Sequence, residues 1–340
     1  MEQELLYRII LPIGAALVTF FLTCVVMTFL LPILKRCKMN QPISEYAPKS
    51  HIKKGGTPTL GGLAFVLASI FTVAAASVAL LLFKKGTELL PMLLTFGLAL
   101  FNSAIGILDD YRKLAQKHNI GLRAWQKLLL QLIFAAIYLV LMTRLCGLTT
   151  VVRIPYVNVS LDLGLFYYPL ALLLITGIIN STNLTDGVDG LLSSTSAVVS
   201  VFFLVLALKN GNTAASVLPA IVLGSGIAFL LYNAHPARVF MGDTGSLYIG
   251  ALFVGVSFML NEPLIVLIAG GIYVIETASV ILQVLSCKLI RLKLRKKRFF
   301  LRTPIHHHFE DKGYSENQVV VLFTVLSALF SFLAWLGVLG

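Results

Sequence analysis

Five short polar runs interrupt a chain that is otherwise oily, and their residue types could do chemistry on phosphates or hold a cation. In ILDDYRK, Asp109 and Asp110 are adjacent carboxylates directly after an apolar stretch. Two negative charges at a helix C-terminus oppose the macrodipole, which favours cations there. A positive partner is therefore expected, either Arg112 and Lys113 or a divalent metal; the plainer alternative is a solvated loop start. In NLTDGVDGL, a continued helix would set Asn183, Asp186 and Asp189 at i, i+3 and i+6, with neighbours in the series sharing a face. Acids, an amide and glycines suit oxygen ligation of Mg²⁺ or contacts to a nucleotide, whereas two Asp caps at a tight turn are the structural alternative.

The other runs add to the same theme. Met241-Gly-Asp243-Thr-Gly-Ser246 precedes another apolar stretch, so Asp243 or Thr244 could cap a helix or lend a ligand to a hard cation. In TPIHHHFE, read as a loop, His306, His307 and His308 are consecutive and lack the i, i+4 spacing of a helical zinc site. They fit better as donors or proton carriers beside phosphate. Lys53-Lys54-Gly-Gly-Thr57-Pro-Thr59 lacks P-loop spacing, yet a lysine beside backbone N–H groups at a helix start can hold an anion. Glu276 lies inside an apolar span, where a carboxylate is costly and marks function by default, and Gly270-Gly271 before it is a site for a bend or break.

The elements that must carry these residues are membrane helices. The 340 residues are 58% hydrophobic and only 12% charged, half the charged share of a soluble globular protein at about 25%. Mean hydropathy of +0.90 with abundant Leu, Ile, Val and Phe also excludes a disordered chain. Ten apolar segments follow one another, at about 11–34, 58–83, 91–108, 124–142, 165–182, 191–208, 213–232, 245–260, 263–287 and 316–339. Each is long enough to cross a hydrocarbon core of about 30 Å. Of the 27 basic residues, 21 fall on the face shared by the loops after the first, third, seventh and ninth spans. The positive-inside rule makes that face cytoplasmic and both termini external, on the periplasmic side.

The formal charge of +12 is thus a topological signal and not a nucleic-acid one, and the basic run Arg291–Arg298 serves anionic membrane lipids. All six histidines and nine of the fifteen acids share the cytoplasmic face, which charge bias alone does not require. Residues 149–163 alternate apolar and polar and predict a short external β-hairpin. Cys24, Cys37, Cys146 and Cys287 have no paired spacing and read as free thiols. The first span, preceded by acids, reads as retained. The fold expected is an all-α polytopic membrane protein forming one domain over 1–340, with cytoplasmic loops at about 35–57, 109–123, 183–190, 233–244 and 288–315 building the active site. A transporter would show internal repeats and a midplane site, and neither is evident.

ILDDYRK, NLTDGVDGL, FMGDTGSL, GTPTLGG and TPIHHHFE, in their arrangement over ten spans, resemble the phospho-N-acetylmuramoyl-pentapeptide transferase (MraY) family over nearly the whole chain. The resemblance implies transfer of phospho-MurNAc-pentapeptide from UDP-MurNAc-pentapeptide to undecaprenyl phosphate, giving lipid I and UMP with Mg²⁺ in the bacterial cytoplasmic membrane. It implies Asp243 as the metal ligand and Asp109 and Asp110 as catalytic carboxylates. Asn183, Asp186, Gly187, Val188 and Asp189 would border the nucleotide, with Phe240 stacking on the uracil and Asn233 and Gly242 nearby. Lys54, Thr59, His306 and His307 would surround the diphosphate and sugar, with His308 beside them. The ninth-span region would form the lipid-tail groove, and a homodimer is implied. HHHFE argues against the sibling that transfers GlcNAc-1-phosphate from UDP-GlcNAc to polyprenyl phosphate.

Overall fold

The computed structural model describes residues 2–37, 39, 56–83, 85–116, 121–157, 159–292 and 297–339. Lys54 lies outside the described residues, as do most of the first cytoplasmic loop and residues 293–296 of the basic run. In chain order the helices are α1 (Glu2–Arg36), α2 (Gly62–Leu82), α3 (Gly86–Gln116) and α4 (Ala124–Leu145), then the strands β1 (Val151–Ile154) and β2 (Val159–Asp162). After the strands come α5 (Tyr167–Thr185), α6 (Leu191–Lys209), α7 (Thr213–Asn233), α8 (Gly242–Met259), α9 (Ile265–Ala269), α10 (Gly271–Arg291), α11 (Ile305–Asp311) and α12 (Glu316–Leu339).

Among the described residues, nine helices are long and apolar enough to cross a membrane, which makes the chain a multi-pass membrane protein. The segment expected at 245–260 is the helix α8, whose first turn carries Asp243, Thr244 and Ser246 and whose 18 residues fall outside those nine. It is the centre of the bundle. Every residue from Thr244 to Met259 is buried, with α2, α3, α5 and α7 packed around it. The span expected as one piece at 263–287 is broken at Gly270 into the short α9 and the longer α10. Gly271 allows the break to sit tight against α12, because a Cβ there would stand 2.6 Å from the Phe330 ring.

One close approach fixes the register of the centre. A Cβ on Gly106 of α3 would overlap the backbone of Asp243 and Thr244. The glycine thus lets α3 run against the first turn of α8, as small residues do where membrane helices cross closely. Asp109 and Asp110 follow one turn later and reach that same helix end.

The hairpin forms as expected, antiparallel, with Val151 opposite Asp162 and Ile154 opposite Val159. Arg153 pairs with Glu262 at 2.8 Å, and the Tyr156 hydroxyl donates to the Leu333 carbonyl at 2.8 Å. Glu262 follows the C-terminal end of α8, so the hairpin closes the end of the bundle opposite the acidic runs.

Gly106→Ala should overpack this crossing, at a cost of about 1–3 kcal/mol, and lower the thermal midpoint in detergent. Gly97→Ala on the same helix meets nothing within 4 Å and should leave the midpoint unchanged or raised. Equal midpoints for the two variants would show that the crossing does not depend on Gly106.

Candidate active site

The polar runs converge where α3 and α5 end and α4 and α8 begin. Asp109 and Asp110 are both buried, at 3% exposure. Asp110 uses both oxygens on α8: Oδ1 accepts from the Asp243 N–H at 3.2 Å, and Oδ2 from the Thr244 N–H at 3.1 Å and hydroxyl at 2.8 Å. It therefore caps α8 from a neighbouring helix, meeting unpaired N–H groups with negative charge where the dipole favours it. Asp109 Oδ1 accepts from the Leu122 N–H at 2.7 Å, which ties the start of α4 to the end of α3.

That tie brings Lys127 of α4 across the site. Its ammonium stands 2.7 Å from Asp243 Oδ2 and 3.3 Å from the Asn183 side-chain oxygen. Asn183, near the end of α5, donates through Nδ2 to Asp243 Oδ1 at 3.0 Å and to the Ser246 hydroxyl at 2.8 Å. Lys113, one turn beyond the Asp pair, lies 2.6 Å from Asp109, 3.9 Å from Asp110 and 3.3 Å from Asp243. The expectation that a positive group must compensate Asp109 and Asp110 is met by Lys113 and not by Arg112. Lys127 was countable only as a topology charge. Its signal is faint in the sequence because its partners Asn183 and Asp243 are far away along the chain. The i, i+4 spacing of Asp109 and Lys113 is the legible half.

Carboxylate oxygens of Asp109, Asp110 and Asp243 lie within 4.8 Å of one another. With all groups ionised, three carboxylates face two ammoniums, leaving one unit of negative charge. An all-oxygen donor set with excess negative charge fits a hard divalent cation. Thr59 and Gly242 adjoin this cluster. A Cβ on Gly242, whose φ is +74°, would stand 2.6 Å from Asp110 Oδ2 and 2.9 Å from the Thr59 hydroxyl. Phe240 is anchored by its backbone, its N–H donating to the Pro58 carbonyl at 2.8 Å and its carbonyl accepting from the Gly61 N–H at 2.9 Å.

NLTDGVDGL is not continuous helix. Helix α5 stops at Thr185 and a turn carries Asp186 to Gly190, so Asn183, Asp186 and Asp189 do not share a face. The glycines at 187 and 190 break the helix. Asn183 goes to the acidic cluster. Asp186 lies beside it, its carboxyl pushed up to about 8 by removal from water and by the carboxylates of Asp243, Asp110 and Asp189. Val188 is buried, and Asp189 turns elsewhere. Asp189 Oδ2 accepts from the Ala237 N–H at 3.0 Å and stands 3.0 Å from His235 Nδ1, with Glu316 Oε2 3.5 Å from the same nitrogen. Asn233 joins this scaffold, accepting from the Gly190 N–H at 3.0 Å and donating to the Val239 carbonyl at 3.0 Å.

The histidine run forms a short helix within the last loop, in which the His306 and His307 rings meet edge to face at 4.1 Å between centroids and His308 packs against Phe300. His306 is fully enclosed, with Nδ1 3.0 Å from Glu276 Oε1. His307 Nδ1 stands 2.6 Å from Glu310 Oε2, and His308 Nδ1 accepts from the Leu301 N–H at 3.1 Å.

Membrane helices thus deliver carboxylates and lysines to one bundle end, the equipment of a polytopic membrane protein that handles a hard cation and anionic groups. Residues 90–261 match the family described as Glycosyl transferase family 4. The phospho-N-acetylmuramoyl-pentapeptide-transferase of Halalkalibacterium halodurans is 40% identical over 334 residues, covering 98% of this chain and 97% of that protein. The protein of the same name from Bacillus subtilis is 39% identical with the same coverage, and that of Caldicellulosiruptor bescii 40% over 94% of this chain and 95% of its own. The chain belongs to the phospho-N-acetylmuramoyl-pentapeptide-transferase family.

Asp110→Ala should lower the thermal midpoint through the lost cap, worth about 0.5–2 kcal/mol, as well as abolish turnover. Asp243→Asn should abolish turnover without that loss of stability. An unchanged midpoint in Asp110→Ala would remove its scaffolding role. A second expectation concerns pH without added metal. The folded-state value of Asp186 is raised from 3.8 to about 8, so its contribution to stability is complete below the lower value and is lost as pH rises through the higher. Midpoints measured from about pH 5 to 9 should fall, and Asp186→Asn should flatten the fall. An identical slope in both proteins would contradict this.

Proposed function

We propose that the chain transfers phospho-MurNAc-pentapeptide from UDP-MurNAc-pentapeptide to undecaprenyl phosphate, producing lipid I and UMP. The observation that carries the proposal is the set of Asp109, Asp110 and Asp243 held by Lys113 and Lys127 at one end of the bundle. Donor diphosphate and acceptor phosphate are both anionic, so cations must screen them while they are aligned. Mg²⁺ bound through Asp243 would supply part of that screening. The lysine ammoniums supply the rest, exchanging carboxylate contacts for phosphate oxygens as the donor enters. Asp110 stays on the α8 N–H groups and keeps Asp243 in place, while Asp109 accepts the remaining acceptor proton. A lipid phosphate is already largely ionised, by analogy with a second pKa of about 6 for phosphoserine, so positioning outweighs base strength. An acceptor oxygen bonds to the β-phosphorus as the bond to the bridging oxygen breaks, and UMP leaves.

An apolar groove of about 510 Å³ supports the lipid acceptor. Leu170, Leu174 and Gly177 of α5 line one side, and Val274, Ala278 and Ile281 of α10 the other. It also takes in Ser181 and Thr277, whose hydroxyls are bonded at 2.7 Å, and Ser181 is half a turn from Asn183. Asn183, Asp186, Gly187, Val188, Asp189, Asn233, Phe240 and Gly242 border the donor in this proposal, with Thr59, Lys54, His306, His307 and His308 toward its diphosphate and sugar. We infer ten crossings, external termini, and a single unit over 1–340 whose site faces the bacterial cytoplasm, because 21 of 27 basic residues share that face. A homodimer is carried over with the family.

Full-length protein with Mg²⁺, undecaprenyl phosphate and UDP-MurNAc-pentapeptide should release UMP, and UDP-GlcNAc should not replace the donor. Turnover with UDP-GlcNAc alone would overturn the donor assignment in favour of the sibling reaction. Ala278→Trp should raise KM for the lipid about tenfold or more while changing the nucleotide KM less than about threefold. An unchanged lipid KM would exclude the groove as the acceptor site.

A further inference from the structure

Glu276 and His306 are an ionisable pair completely out of contact with solvent, in α10 and α11. Glu276 Oε1 meets His306 Nδ1 at 3.0 Å, while Glu276 Oε2 and His306 Nε2 find no hydrogen-bond partner among the described residues. Enclosing such groups in a membrane bundle is costly, and they are retained where they serve function. The carboxylate accepts from Nδ1–H, which fixes the ring's orientation and leaves Nε2 as its other end.

That other end presses on the turn after α5. A Cβ on Gly187 would overlap His306 Nε2, so a glycine at 187 and an imidazole at 306 are matched. Backbone bonds in the Asp186–Val188 stretch are local, Asp186 N–H to the Asn183 carbonyl at 3.3 Å, Gly187 N–H to the Thr185 carbonyl at 2.9 Å and Leu191 N–H to the Val188 carbonyl at 3.0 Å, while the longer-range anchors fall on Asp189 and Gly190. Thr277 and Ala278, next to Glu276, line the apolar groove. One turn of α10 therefore faces the groove on one side and holds the histidine on the other.

We propose that Glu276 is a positioning residue: by clamping His306 against Gly187 it fixes the Asp186–Val188 turn beside the acidic cluster. Its kinetic consequence rests on the proposed reaction, in which this turn borders the donor nucleotide; the clamp itself does not.

The test uses the full-length protein in detergent. Glu276→Ala should raise KM for UDP-MurNAc-pentapeptide about tenfold with kcat changed less than about threefold. Glu276→Gln, whose side-chain oxygen still accepts from Nδ1–H, should restore most of the affinity. Because Glu276 acts only through His306, Glu276→Ala added to His306→Ala should cost nothing further. Additive losses would overturn the proposal. Hydrogen exchange of residues 184–190, measured without substrate, should accelerate in Glu276→Ala, and an unchanged rate would overturn the clamp whatever the reaction proves to be. If Glu276→Ala does not fold, Gly187→Ala attacks the same contact from the turn side. It should reproduce the KM rise, and a normal KM there would likewise refute the proposal. A wild-type protein inactive on this donor would defeat the reaction while the exchange measurement still decides the clamp.

Discussion

The carboxylate of Asp110 on the first turn of α8 is the contact from which the rest of the site follows. Helix α8 is buried from Thr244 to Met259, so its starting N–H groups cannot be left to water. A capping side chain within its own sequence is missing, and Asp110 supplies the cap from α3. The close approach at Gly106 makes this possible. Asp243 then stands in the capped turn beside Asp109, and a third carboxylate joins two others because the helix geometry leaves it no other place.

Such a grouping is electrostatically costly, and the chain offsets it with two lysines from different elements. Lys113 belongs to the same helix as the Asp pair, whereas Lys127 arrives because Asp109 accepts from the Leu122 backbone and draws the start of α4 inward. Asn183 orients Asp243 from the third side. Each acidic residue therefore holds scaffold and charge together. The ammoniums are poised for anionic substrates because the contacts they would give up are to carboxylates that a divalent cation can take over.

The class of fold was legible in composition: long apolar runs, charge sorted to one face, and an alternating segment that forms the β1–β2 hairpin. The break at Gly270-Gly271 was legible too, since two glycines weaken a helix. The central burial of α8 was not, because hydropathy cannot tell a lipid-facing helix from one wrapped by its neighbours. Asp109, Asp110 and Asp243 were visible as candidates, and Lys113 could be seen through its spacing. Lys127 and the cap made by Asp110 depend on contacts between residues more than 100 positions apart in sequence. The histidines were visible as a run but their partners were not: His306 meets Glu276, His307 meets Glu310, and His308 accepts from the Leu301 backbone.

In the proposed reaction Asp243, held by Lys113, Lys127 and Asn183 at the capped start of α8, is the ligand for a divalent cation. Electron paramagnetic resonance of Mn²⁺, a hard-oxygen stand-in for Mg²⁺, titrated into the full-length protein tests it directly. One ion bound per chain, and loss of that site in Asp243→Asn with the fold intact, is the expected result. Mn²⁺ bound as tightly by Asp243→Asn as by the unaltered protein would contradict the account.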